Sequence, residues 1–389
     1  MGSRFAATVI GAGPSGLAAV GNLLAQRVSP LLWVDPLFSS GRLNQSYREV
    51  PSNTKVKLFL DFAQAVKPFQ DIIDTTPSPN PVTHLEQLDQ NQHCTIADAA
   101  DMCRMLTDGL LKRDDVTAVF GNVNAANWAD GCWQLGTTHN SNSSHYSSHL
   151  LVLCTGSQPK SIKVPPPTSI KDIHLDIALT PTKLQTTISP SEPATIAVIG
   201  SSHSAVLALL NLYTLATSSH PELRIKWFSR SPLLYAVPKG DWILYDNTGL
   251  KGLAATWARS HLEDDSRQSG NTARYIEKVE LPEGESFITS PALSRCTHVV
   301  QAIGYAPNPL PSLTLNHAPL PTSSLVHDAH SGAFSDNRHG HTVPGLYGAG
   351  IAWPETVTDP EGNVESAVGL YKFMKYLRRV VPEWTKTLN

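Results

Sequence analysis

One pattern restricts this chain more than any other: a strand, a glycine turn and a helix, written twice. The copies occupy residues 7–25 and 195–216. In the first, an apolar run at Ala7–Ile10 leads into GAGPSG, and a helix-like LAAVGNLLAQ follows. Gly11, Gly13 and Gly16 fit G-x-G-x-x-G. Gly11 permits the tight turn, Gly13 lets backbone approach a pyrophosphate, and Gly16 lets helix and strand pack closely. Pro14 and Ser15 open the helix, whose free N–H groups and positive dipole end favour an anion. The next strand, LLWVD, ends on Asp35 before Pro36. That carboxylate is placed to accept hydrogen bonds from an adenosine ribose.

The second copy reads VIGSSHSAVLALLNL over 198–212. Gly200 keeps the tight turn, and Ala205 satisfies the position that needs only close packing. Ser202 stands where the approach glycine belongs. Its hydroxyl, with those of Ser201 and Ser204, is a donor for phosphate oxygens. The strand RIKWF is followed by Ser229 and Arg230 rather than an acid. A 2′-phosphate is repelled by an acid and bound by a guanidinium, which points to NADPH. The alternative is a vestigial site whose hydroxyls only cap a helix. His203 either faces the cleft or packs as an ordinary histidine.

Two such units require length, and 389 residues suit two domains better than one core. The expected fold class is α/β, with two Rossmann-like dinucleotide-binding domains. The first comprises 1–158 and 296–389, and the second, 159–295, is inserted in it. Residues 163–169, KVPPPTS, read as a linker. The proline-rich segment 41–91 reads as irregular structure over a site, 95–112 as a helix capped by Thr95 and Asp98, 140–148 as a loop, and 365–379 as a helix. That last helix either supports a homodimer or packs on the first domain.

A formal net charge of −3 gives no reason to expect nucleic acid or an anionic membrane as partner. Apolar runs such as Leu150–Cys154 are too short to span a bilayer. Strand-like residues begin at once, leaving no room for a signal peptide. Five cysteines without a C-x-x-C pair argue against a disulfide framework and dithiol exchange, and for a cytoplasmic setting. His327, His330, His339 and His341 sit in a Gly/Ser/Asp-rich loop and read as solvated, with no metal expected.

VIGAGPSGLAA with VDP at 34–36 resembles the FAD-binding start of flavoproteins with two dinucleotide-binding domains. LLVLCTGSQP (150–159), with Thr155 and Gly156, resembles the turn where such chains cross between domains. HVVQAIGYAPNP (298–309), with Gly304 and Tyr305, and YREVPSNTKVKLFLDF (47–62) resemble segments of flavin-containing monooxygenases. VPGLYGAGI (343–351) resembles the late FAD motif, in which Gly350 would approach the ribityl chain. Ile351 replaces the usual Asp, and the family's F-x-G-x-x-x-H fingerprint is missing. The chain therefore resembles flavin-containing monooxygenases and pyridine nucleotide-disulfide oxidoreductase-like proteins that lack the C-x-x-C.

The resemblance implies FAD and NADPH as cofactors. It places Asn53 near flavin and nicotinamide as a catalytic candidate, with Lys55 close by. His174 is a second catalytic candidate, beside Asp176 at the interdomain crossing. Val368, near the start of the last helix, would border the flavin pyrimidine, and Glu365 is either part of that arrangement or a first-turn acid. Asp246, Asn247 and Thr248 either touch substrate or form a turn. The implied reaction is hydride transfer from NADPH to flavin, then oxygenation of a small-molecule substrate through a C4a-(hydro)peroxyflavin. The alternatives are a flavin oxidase, reductase or redox-neutral enzyme with a degenerate NADPH site, and a non-catalytic FAD-binding scaffold.

Overall fold

The computed structural model describes residues 4–139, 142–165 and 169–388. Its first sheet is built on strand Arg4–Ile10, which runs parallel to Leu31–Asp35 on one side and to Asn142–Leu153 on the other. Ala7, Val9, Leu31 and Trp33 are fully buried on the face covered by helices, while Leu32, Leu151 and Phe334 fill a second core against strands on the other face. Val116–Phe120 extends the sheet beyond Leu31–Asp35.

Strand Asn142–Leu153 changes partners along its length. Its first half forms an antiparallel hairpin with Cys132–His139. Its second half lies between Arg4–Ile10 and the end of His341–Gly348. This brings the late glycine segment beside the first glycine turn. Part of the segment expected as a loop at 140–148 is therefore strand, because Tyr146 and Ser148 pair with Leu135 and Trp133. Residues 140 and 141 lie outside the described residues, as do 166–168 of the expected linker.

The second sheet has five parallel strands, in the order Lys171–Asp172, His298–Gln301, Ala194–Ile199, Leu223–Ser229, Ile276–Glu280. His298–Gln301 was expected in the returning part of the first domain. It pairs instead with Ala194–Ile199, so the chain leaves this sheet only after Gln301.

The two glycine turns repeat each other in detail. The Gly11 N–H donates to Val34 O at 2.8 Å and the Gly200 N–H to Phe228 O at 2.9 Å. The indole of Trp33 donates to Gly11 O at 2.9 Å, and that of Trp227 to Gly200 O at 2.8 Å. Both glycines have positive φ, +103° and +127°. A Cβ would lie 2.3 Å from Cys154 O at Gly11 and 2.5 Å from Ala302 O at Gly200.

Segment 41–91 is not irregular. It holds helices Arg42–Ser46, Val56–Ala63, Lys67–Thr75 and Pro81–Gln87. Two of its prolines start helices instead of breaking them: Pro68 and Pro81 sit in first turns, where a missing N–H costs nothing. The Asn80 side chain caps the last of these by accepting from Val82 and Thr83 N–H at 3.0 Å. Phe59, Phe62, Phe69 and Leu85 fill the core beneath. Helix Ile96–Leu110 has the expected cap, with the Thr95 N–H donating to Asp98 at 3.0 Å.

The expected helix at 365–379 starts late. Val364–Ala367 is a strand paired with Glu355–Thr358, and Gly369, at φ +146°, separates it from helix Leu370–Trp384. That helix packs on Pro14–Ala25, where the Asn22 amide donates to Met374 Sδ at 3.2 Å.

At Gly16 an added Cβ would fall 1.8 Å from Gly11 O. Gly16→Ala should therefore lower unfolding stability by about 1–3 kcal/mol or more, measured as a lower urea midpoint at unchanged slope.

Candidate functional site

A cleft of about 770 Å³ opens beside the first glycine turn. Gly11, Gly13, Pro14 and Ser15 line it, as do Asp35 and Pro36, and Thr155, Gly156, Tyr305, Ile351 and Val368. A Cβ at Gly13 would meet nothing within 4 Å, so its backbone faces open cleft. The Asp35 carboxylate is oriented by backbone: Ala12 N–H donates at 2.7 Å, Leu37 at 2.8 Å and Phe38 at 2.7 Å. Thr155 Oγ1 is buried without a hydrogen-bond partner among the described residues. Gly350, at φ +92°, lies so near the helix that a Cβ would be 2.2 Å from Ser15 Oγ. Gly16 packs behind the turn, and Gly304 accepts the Lys160 N–H at 2.9 Å without lining the cleft. An open helix N-terminus, an oriented acid and an orphaned hydroxyl fit a dinucleotide.

Sequence reasoning missed Arg42 and Tyr47, which line the same cleft. Arg42 is ion-paired with Asp176, and the Tyr47 hydroxyl donates to Asp176 at 3.1 Å. Tyr305 lies 3.4 Å from that hydroxyl. Burial and then Tyr305 push Tyr47 well above the usual phenol range. Asp176 belongs to the segment after the crossing, so this cluster ties the two sheets' surroundings together. The one signal for it was Asp176 itself. His174 is not part of the cleft: its Nδ1 accepts the Asp176 N–H at 3.2 Å, capping Leu175–Ala178.

At the second turn, Ser202 is the cap of helix His203–Ser218, yet its side chain makes no capping bond. Its hydroxyl remains exposed, as does Arg230, while Ser229 is buried. Arg230 borders clefts of about 910 and 530 Å³, and His174 lines the larger. Ala205 is fully buried, as its packing position requires. His203 Nδ1 has no partner among the described residues. Burial, then the charges of Lys251 and His93, push its pKa down to about 4.

A further cavity, of about 730 Å³, adjoins the first cleft, sharing Val368, Gly369 and Leu370 with it. Asn53 and Lys55 line this cavity and not the first cleft. Asp246 stands there between Lys251 and Lys372, the latter at 2.6 Å. Glu365 lies behind: its carboxylate accepts from Asn247 N–H and side chain at 3.1 Å each, from Thr248 N–H at 3.0 Å, and from the Thr248 hydroxyl. Burial acts to raise the Glu365 pKa, but these bonds, Thr248 and then Asn247, hold it below the usual range. Glu365 is thus a strut for the 246–248 loop and not a first-turn acid.

Among the described residues no group of three or more His, Cys, Asp and Glu could hold a metal, all five cysteines are free, and no helix is long and apolar enough to cross a membrane.

No family profile matches the chain. It is 48% identical over 388 residues to monooxygenase AgnR1 of Paecilomyces divaricatus, covering 98% of each protein. Among solved structures it resembles a flavin-containing monooxygenase from Stenotrophomonas maltophilia, with TM-score 0.60 and 14% identity over 100% of both chains. It also resembles the FAD-bound cadaverine monooxygenase of desferrioxamine biosynthesis from Erwinia amylovora, with TM-score 0.62 and 12% identity over 99% of this chain and 95% of the other. At those identities the likeness is one of fold, the two-dinucleotide-domain flavoprotein fold.

Glu365→Ala should cost about 1–3 kcal/mol, because it removes the charged acceptor of four hydrogen bonds from the part-buried donors of Asn247 and Thr248. Hydrogen exchange at residues 246–250 should accelerate while the strands of both sheets stay protected. His203 binds its proton more weakly folded than unfolded, so its contribution to stability falls as pH drops from 6.5 towards about 4. In His203→Gln, melting temperature should decline less steeply over that window.

Proposed function

The chain belongs to the monooxygenase family that includes the Paecilomyces enzyme, and we propose that it oxygenates a small organic substrate using FAD in the 770 Å³ cleft and NADPH on the second glycine turn. The observation that carries this reading is the repeated turn. Both copies have the same backbone hydrogen bonds, but the first presents an open Gly13 and an oriented Asp35, and the second an uncapped Ser202 and an exposed Arg230.

In this reading the FAD unit comprises residues to about 158 and those beyond Gln301, with the NADPH unit between. Backbone N–H groups of Gly13, Pro14's successor Ser15 and Gly16 would receive the FAD pyrophosphate, and Asp35 the ribose. Thr155 Oγ1 would gain the partner it lacks. Ile351 offers only backbone where relatives in the resemblance carry a carboxylate, so the ribityl chain would depend on the approach of Gly350. Helix Leu370–Trp384 begins at the cleft beside Val368, and its positive end favours negative charge on a reduced ring.

At the second turn Ser201, Ser202 and Ser204 would supply hydroxyl and N–H donors to the NADPH pyrophosphate, with Gly200 and Ala205 shaping the turn. Ser229 and Arg230 stand where the 2′-phosphate would lie. His203 is neutral at pH 7 and adds no charge there. When bound, the flavin supplies two-electron transfer from the nicotinamide and the activation of dioxygen. The protein's part is to position the rings and exclude water between two packed domains.

Anaerobic addition of NADPH to the purified yellow protein should bleach the flavin rapidly, and NADH should do so slowly. Arg230→Ala should raise the Kd for NADPH roughly tenfold, with little change for NADH. A flavin that neither donor bleaches would reduce the second turn to a structural relic.

A further inference from the structure

The 730 Å³ cavity holds more positive charge than its own acids neutralise. Its charged lining is Lys55, Lys251, Arg259 and Lys372 against Asp246 alone, in a chain of formal net charge −3. Lys251 and Lys372 both close on Asp246, so one carboxylate serves two ammonium groups. Glu365, behind the wall, adds a second negative charge that acts on Lys372. Its oxygens are engaged by Asn247 and Thr248, and the four cations still outnumber the two carboxylates. Lys55 makes no ion pair among the described residues, and the Arg259 guanidinium lies over the Tyr235 ring at 4.1 Å. Burial lowers the Lys372 pKa despite Asp246. A surplus cation held partly out of water is costly until an anion joins it.

Beside polar residues such as Asn53 and Gln92, the wall carries an apolar portion. Ile243, Leu253 and Val368 are among the large apolar side chains left exposed, at 39%, 49% and 41%, and all three line this cavity. Val368, Gly369 and Leu370 also line the neighbouring cleft, so a ligand here reaches its edge. Arg230, the guanidinium assigned to the 2′-phosphate, borders other clefts. The cavity's cations are therefore additional to it.

We propose that this cavity is the substrate pocket and takes an organic anion, an apolar body bearing one carboxylate or ionised hydroxyl, held by Lys55, Lys251 and Lys372. The proposal rests on the flavin reading above. It makes charge the discriminating feature: a neutral isostere fills the same apolar walls but leaves the ammonium groups unanswered.

The test uses the flavin-loaded protein and two probes of matched shape, 1-naphthoate and 1-naphthamide, titrated by calorimetry. Naphthoate should bind roughly tenfold tighter than the amide, and less tightly as salt is raised. Lys55→Met, at an exposed position the fold does not lean on, should remove most of that preference. Lys251→Met, which leaves Asp246 paired with Lys372, should do the same. Equal or stronger binding of the amide, binding of neither probe, or a preference that survives both substitutions overturns the proposal. Saturating NADP⁺ distinguishes the two sources of negative charge. If naphthoate still binds, the pocket serves substrate. If NADP⁺ displaces it and Lys55→Met weakens NADP⁺ equally, the cations serve dinucleotide phosphates and the proposal falls. A protein that NADPH bleaches but that shows no naphthoate preference fails only here. A protein without bound flavin fails the underlying reading, and calorimetry still reports on the cavity.

Discussion

The contact between Gly16 and the carbonyl of Gly11 leaves no space for a side chain, and the same is true of Gly11 against Cys154 and Gly200 against Ala302. These approaches let a helix begin directly at the end of a strand, with its N–H groups aimed past the turn. The indoles of Trp33 and Trp227 fix the turn carbonyls from the next strand. Each turn is thus held from both neighbouring strands, and the 770 Å³ cleft opens beside the first of them. The close approach of Gly350 to Ser15 completes the same wall.

The two halves of the molecule meet through charge as well as through backbone. Arg42 and Tyr47 reach Asp176 on the cleft side. Across the smaller cavity Glu365 reaches Asn247 and Thr248, and Lys372 reaches Asp246. The polar partners therefore come from opposite sides of the chain crossing, and the cavities between them are walled by residues remote in sequence.

Much of this was legible in the sequence because glycine spacing is local. Gly11, Gly13, Gly16 and Asp35 lie within one unit, and short-range sterics dictate what they do. The geometry of the second turn was legible for the same reason. Segment 41–91 was misread because prolines punctuate both loops and helix starts; the phenylalanines that choose between these are buried against helices remote in sequence, Pro14–Ala25, Ile96–Leu110 and Leu370–Trp384. Val364–Ala367 has helical spacing, but its pairing with Glu355–Thr358 is decided by a turn and by Gly369. Arg42, Tyr47 and the partners of Glu365 were hidden because each depends on residues more than a hundred positions away.

Glu365 lies four positions before Gly369, the last residue ahead of the C-terminal helix (369 − 365). Its carboxylate grips the 246–248 loop through four donors, two of them backbone. It acts as a crossbrace. Displacing the 246–248 loop must either carry the Val364–Ala367 strand along, and with it Val368 at the cleft wall, or break all four bonds together. The position of that loop and the shape of the cleft wall at Val368 are therefore one mechanical variable in this protein.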